Sequence, residues 1–308
     1  MVYDYIENTR GMIFDRKVIF STDNNLFYSF FSPIASYVWS KFNYHPIVFI
    51  VGDSGWYSNK VNSFILKKTL EAGADVVFLN SDRIHSNPAF DGYNLGVVAQ
   101  VSRFCSPCII SDDKTYCLTS DVDMIPMKRD WFFQQDMEKP IHLFYANGYN
   151  HKRYPVCYIG MNISTWRKVM GIWDKENIYL AINRLLKFGL RRNSRKEVQW
   201  GYDEVLFYNK IIRYSNYSDC QMIDREIFNN PAFYPKCKGI PEYLPIDRLD
   251  RSYWDDRDLS KYVEAHCMRP GYEINNWNYI YKVLEYVLNP MELIWINDYY
   301  DSFMGKLR

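Results

Sequence analysis

Tyr116-Cys117-Leu118-Thr119-Ser120-Asp121-Val122-Asp123-Met124-Ile125-Pro126 reads as a short apolar strand that ends in two carboxylates one residue apart. Period-two geometry puts Asp121 and Asp123 on the same side of an extended chain. In open α/β sheets, ligands bind just outside the carboxyl ends of the strands, so the pair stands where a site is expected. Two hard oxygen ligands there suit Mg²⁺ or Mn²⁺, which bind through one or two carboxylates plus phosphate oxygens of a substrate. Asp256-Arg257-Asp258 repeats the spacing but follows no apolar strand and reads as a surface loop.

Upstream of that stretch, strand-like and helix-like segments alternate. The apolar run 17–22 is followed by an amphipathic stretch over 28–42 and by Pro46-Ile47-Val48-Phe49-Ile50-Val51, closed by Gly52-Asp53. This is a β-α-β unit. Helical spacing over 62–72 ends at Gly73, a C-terminal cap, before a strand at 75–79; a helix over 95–104 then precedes the strand at 115–119. Near-continuous runs of Val, Ile, Leu and Phe separated by helices imply a mostly parallel sheet buried on both faces.

Downstream of residue 125 the alternation loosens. Strands are expected at 141–145 and 156–160, and helices at 165–172, 175–188 and 203–212. A helical C-terminal extension rich in Trp and Tyr covers 273–308. No repeat, low-complexity tract or Gly/Ser linker interrupts the chain, so 1–308 reads as one domain. Its halves are a ligand-binding part over about 17–125 and a second part over about 126–272. The basic run from Arg184 to Lys196 reads as a solvated helix end and loop, with a mobile lid or an anion-binding edge as the alternative.

With 37 Lys+Arg against 36 Asp+Glu, the net charge of +1 argues against a dedicated duplex-DNA or anionic-membrane binder. Asp4 and Glu7 sit where a secretory signal would be basic and then apolar, and no stretch reaches the ~20 apolar residues of a membrane span. A cytoplasmic protein with reduced thiols is therefore expected, and its seven cysteines read as packing residues. Cys105-Ser106-Pro107-Cys108 falls at a helix C-terminal end, where the dipole disfavours a thiolate. Neither a Walker loop nor a G-x-G-x-x-G follows the first strand, which removes the commonest NTPase and dinucleotide readings. A lean towards Lys, Asn, Ile and Tyr is what an AT-rich bacterial or large-virus genome produces, and in the viral case the setting is the host cytoplasm.

This order of segments, with a hydrophobic strand ending in Asp-x-Asp, resembles the nucleotide-sugar-dependent glycosyltransferases of the GT-A fold over roughly residues 17 to 280. The resemblance implies a Rossmann-like sheet flanked by helices and a set of site residues. Ser21, Thr22 and Asp23, with Tyr28 beyond, stand where such enzymes hold the base and ribose. Gln100 and Arg103 stand on the helix that often points a polar or basic side chain at the nucleotide or sugar. Ser120 and Asp121 belong to the donor side, and Asp121, Asp123 and His266 to the metal, Mn²⁺ or Mg²⁺. Gly160 resembles the glycine that lets the donor sugar approach. Trp200 and Tyr202 would be acceptor platforms, and Asp203 or Glu204 the general base if the transfer inverts. Arg269, after the histidine, resembles the basic residue near the diphosphate.

The activity so implied is metal-dependent transfer of a sugar from a nucleotide diphosphate sugar, with UDP expected, to a hydroxyl of a glycan or glycosylated acceptor. No nucleic-acid partner is expected. A sugar nucleotidyltransferase and a carbohydrate-binding protein without turnover are the alternatives. The first is disfavoured by the lack of a glycine-rich triphosphate loop, and the second is motivated by 27 Tyr and 9 Trp that could stack on sugar rings.

Overall fold

The computed structural model describes residues 4–6, 15–90, 93–133, 139–144, 154–190, 201–214, 219–222, 248–252 and 254–308. Among them, β1 (Asp4–Ile6), β2 (Arg16–Thr22), β3 (His45–Gly52), β4 (Asp75–Asn80), β5 (Tyr116–Thr119), β7 (Ile141–Leu143), β8 (Ile159–Asn162) and β9 (Cys220–Met222) form an eight-stranded sheet. Its order is β1-β4-β3-β2-β5-β8-β7-β9. The central ladders β4-β3, β3-β2 and β2-β5 are parallel, as expected from the uninterrupted apolar runs. β8 runs antiparallel to both β5 and β7, and β1 antiparallel to β4. Strands from both expected halves thus share one sheet. A smaller sheet joins β6 (Met124–Pro126), β10 (Arg248–Asp250) and β11 (Glu264–His266) in the order β10-β11-β6.

Alternate residues of the central strands feed two apolar cores, as period-two geometry requires. Val18 and Phe20 of β2, with Val48 and Ile50 of β3, enter one core. Ile19, Ile47, Phe49 and Val51 enter the other. The first core is covered by α1 (Leu26–Ser29), α2 (Phe31–Lys41), α3 (Lys60–Glu71), α10 (Ile274–Val287) and α11 (Pro290–Leu307). α5 (Leu95–Ser102), α7 (Ile163–Met170), α8 (Ile178–Leu190) and α9 (Tyr202–Tyr214) cover the second. The short α4 (Ser81–His85) and α6 (Arg129–Phe132) are the remaining α-helices among the described residues.

Asparagine starts many of these helices: Asn25, Asn59, Asn80, Asn94 and Asn289 each accept a backbone N–H of the first turn. Gly73, at φ +93°, ends α3 as the sequence predicts, because an L side chain is strained there.

The helix expected over 28–42 is broken into α1 and α2 at Phe30, and α2 is buried nearly all round instead of amphipathic. The C-terminal helices are the reason. Phe30 packs against Trp277, Tyr299 and Phe303, and Tyr37 stacks on Trp295 at 4.5 Å. Trp277 stacks on Tyr300 at 4.2 Å. Much of the aromatic surplus is therefore the glue of the C-terminal extension, each well-placed ring pair contributing about 0.5–1.5 kcal/mol beyond area burial. No helix among the described residues is long and apolar enough to cross a membrane.

Candidate active site

At the carboxyl ends of β2 and β5 the chain forms an open cleft of about 970 Å³, counting space shared with solvent. The expected strand does not run on through the two carboxylates. After Thr119, Ser120 still donates to the Ile19 carbonyl, but Met124 N–H then donates to the Asp121 carbonyl, closing a turn that sends the chain into β6. Period-two geometry thus stops at Ser120. Asp121 and Asp123 nevertheless face the same cleft, where they meet different partners.

Asp121 belongs to a buried ionic triad. Arg103, at the C-terminal end of α5, donates from Nη1 to Asp121 Oδ1 at 2.5 Å and from Nη2 to Asp203 Oδ2. Its Nε and Nη1 also reach the carbonyls of Gln100 (3.2 Å) and Ser120 (3.3 Å). Burial works against the guanidinium charge, but the two carboxylates outweigh it and hold Arg103 protonated, above its ordinary pKa. Asp203, 2% exposed in the first turn of α9, is pushed up by burial and by Asp121, more than Arg103 pulls it down. Glu204 follows it on the cleft wall.

Asp123 belongs to a second cluster. Its Oδ2 is 3.0 Å from Arg251 Nη1, 3.3 Å from Arg269 Nε and 3.4 Å from His266 Nε2. The other ring nitrogen, Nδ1, is 3.1 Å from Asp250 Oδ2. β6 and β11 bring these together: Met124 pairs with His266, and Cys267 N–H donates to the Asp123 carbonyl at 2.9 Å. Burial opposes charge on His266, yet Asp123 and Asp250 outweigh it and raise its pKa to about 9. Burial likewise opposes charge on Asp123, and the His266 and Arg251 charges hold its carboxyl below the usual range. The Arg269 guanidinium lies 4.4 Å over the Tyr28 ring, which links this cluster to Ser21, Thr22 and Asp23 at the end of β2.

Of the residues named from sequence, Ser21, Thr22, Asp23, Tyr28, Gln100, Arg103, Asp121, Asp123, Asp203, Glu204, His266 and Arg269 all line this cleft. Three do not. Ser120 is fully buried behind it, with its carbonyl taken by Arg103. Gly160 sits in β8, where a Cβ would run into the Tyr116 phenol, so its missing side chain makes room for Tyr116 and not for a sugar. Tyr202 is buried and donates its hydroxyl to the Leu186 carbonyl, so it is a packing residue and no acceptor platform. Trp200 lies outside the described residues. Arg248, Asp250 and Arg251 were not anticipated. Their one sequence signal is the Asp-Arg-Leu-Asp-Arg alternation at 247–251, too short for a periodicity argument.

Among the described residues, no three His, Cys, Asp or Glu side chains converge closely enough to hold an ion by themselves. Asp121, turned to Arg103, is not brought onto the point that Asp123 and His266 share. Those two do fit a divalent cation as a pair. A ligating histidine characteristically hands its second ring nitrogen to a carboxylate, as His266 does to Asp250. Mg²⁺ and Mn²⁺ need few protein ligands when phosphate oxygens complete the shell.

No family model matches the chain, and no curated protein matches it. Among solved structures it is similar to the galactosyltransferase LgtC in complex with donor and acceptor sugar analogues, at 12% identity and a TM-score of 0.48, covering 94% of this chain and 99% of LgtC. It is also similar to the glycosyltransferase GlyE of Streptococcus pneumoniae TIGR4 (13%, TM-score 0.46) and to the bifunctional glycosyltransferase WbbM (10%, TM-score 0.48). Each covers 94% of this chain, which spans 64% of GlyE and 52% of WbbM. GlyE and WbbM bear the name glycosyltransferase and LgtC the name galactosyltransferase.

Proposed function

We propose that the chain is a metal-dependent GT-A glycosyltransferase that moves a sugar from a nucleoside diphosphate sugar, with UDP as the expected nucleotide, to a hydroxyl of a glycan or glycosylated acceptor. The observation that carries this reading is a continuous file of polar contacts along one cleft, Tyr28 to Arg269 to Asp123, beside Asp121 to Arg103 to Asp203. Such a file suits an elongated ligand with an aromatic end, an anionic middle and a hydroxyl-rich end. Tyr28 and the β2 terminus would take the nucleoside. Asp123 and His266 would hold Mn²⁺ or Mg²⁺, which when bound neutralises charge on the departing diphosphate.

Arg103 fixes two carboxylates in the cleft wall, and their oxygens can accept hydrogen bonds from sugar hydroxyls. For an inverting transfer the base would be Asp203 or Glu204. Asp203 is buried and tied to Arg103, so Glu204, one step further round the first turn of α9, is better placed to take a proton from an acceptor hydroxyl. Calorimetry with UDP and GDP, each with and without Mn²⁺, tests the reading. Metal-enhanced binding of one of them is expected, and binding of neither under any condition would sink it.

A further inference from the structure

At the end of α9 opposite its cleft-facing first turn, three cations converge on little negative charge. Lys210 Nζ donates to the carbonyl of Met170, the last residue of α7, at 2.7 Å. Beside Gly171, the next residue, Arg184 Nη1 and Lys210 Nζ lie 3.7 and 3.8 Å from where a Cβ would stand. Lys210 and Arg213 both sit over the Phe188 ring, at 4.3 and 4.5 Å. Among the described residues, Glu176 is the one carboxylate in ion-pair reach of the three, at 2.6 Å from Arg184. Burial, then Arg184 and Arg213, push the Lys210 amine down to about 8, a mutual repulsion that an outside anion would relieve.

Apolar side chains stand in the open beside these cations. Trp173 is 74% exposed, and its N–H donates to Glu176 Oε2, the oxygen that Arg184 Nη2 also meets. Leu180 is 60% exposed and shares one face of α8 with Arg184 and Lys187, at i, i+4 and i+7. Lys187 and Arg213 are exposed as well. An open tryptophan and leucine flanked by cations suit the boundary between headgroups and acyl chains, where ring and alkyl group sink in and the cations meet lipid phosphates. A soluble polyanion would use the cations and leave Trp173 and Leu180 without a role. The chain's net charge of +1 conceals this local segregation.

We infer that the surface formed by Trp173, Leu180, Arg184, Lys187 and Arg213 docks on an anionic lipid bilayer. Arg213 stands ten residues along α9 from Asp203, about 15 Å at 1.5 Å per residue, so the docked surface is separate from the cleft wall. Docking needs no nucleotide, sugar or metal, so it stands or falls apart from the function proposed above.

The test is flotation of the full chain with vesicles of phosphatidylcholine alone and of phosphatidylcholine with about 30% phosphatidylglycerol, at physiological salt. Wild type should float with the anionic vesicles and not with the neutral ones. Trp173→Ala should lower the partition coefficient several-fold, and Lys187→Ala and Arg213→Ala about fivefold each, the equivalent of about 1 kcal/mol per surface cation. The three side chains are exposed and stand on separate segments, so the loss of one variant to misfolding leaves the other two to decide. Equal flotation on neutral and anionic vesicles, no flotation at all, or variants that float as wild type does would each overturn the docking surface. Binding of inorganic polyphosphate without binding of vesicles would overturn it too and assign the cations to a soluble polyanion.

Discussion

Replacing Arg103 by methionine keeps most of the side-chain volume and removes the charge between Asp121 and Asp203. Asp121 is 37% exposed, so water screens its loss. Asp203, at 2%, has no such relief and must either stay charged without a partner or take up a proton. Breaking a buried pair from one side costs about 3–5 kcal/mol. Protonating a carboxyl of ordinary pKa about 3.9 at pH 7 costs about 4 kcal/mol, at about 1.36 per unit. The two routes agree on about 4 kcal/mol at pH 7.

At pH 5 the protonation route costs only about 1.5 kcal/mol, so the penalty should shrink on acidification. The sign follows from proton linkage. In the variant the folded Asp203 binds its proton more tightly than the unfolded one, so stability falls as pH rises above about 4. Urea unfolding of wild type, Arg103→Met, Asp203→Asn and Arg103→Met/Asp203→Asn between pH 5 and 8 reads this directly. The double variant should recover most of the loss, because the bonds to the Gln100 and Ser120 carbonyls are absent from it and from the single Arg103 variant alike. A penalty under about 1 kcal/mol at pH 7, one that does not change with pH, or no recovery in the double variant would refute the reasoning.

His266, raised to about 9, contributes stability that is complete below about pH 6.5 and fades as pH rises through 9, about 3 kcal/mol in all for metal-stripped protein. Unfolding curves between pH 6 and 10 should show this fall, and His266→Gln should flatten it. If Glu204 is the base of an inverting transfer, Glu204→Gln should lower kcat about 10²- to 10⁴-fold with donor affinity unchanged, while Asp203→Asn should lower it far less; the reverse order would make Asp203 the base, and steady-state kinetics with calorimetry separates the two cases. Gly160→Ala should cost about 1–3 kcal/mol by overpacking against Tyr116, seen in urea unfolding, and leave donor affinity alone.

The parallel centre of the sheet was legible because β2, β3 and β4 are apolar on both faces, and their predicted bounds lie within about a residue of the observed ones. β8 starts at Ile159 instead of 156, because Val156 and Cys157 leave the sheet to line the cleft, where the Thr119 hydroxyl donates to the Val156 carbonyl. The sheet β10-β11-β6 was invisible, since three-residue strands carry no periodicity and their pairing is non-local. That small sheet supplies Asp250, Arg251 and the setting of His266, so the anion-facing side of the site was the part least readable in advance. The carboxylates were found by type and strand context. Which partner each would meet was decided by the turn at Asp121–Met124 and by Arg103, a buried cation that composition cannot reveal.

The central claim is tested most directly by following nucleoside diphosphate release from a panel of UDP- and GDP-sugars, with Mn²⁺ and with excess chelator, for wild type and Asp123→Ala. The account predicts metal-dependent release from at least one sugar nucleotide by wild type and its loss in a folded Asp123→Ala protein. Release from none of them, or release that Asp123→Ala leaves unchanged, would contradict it.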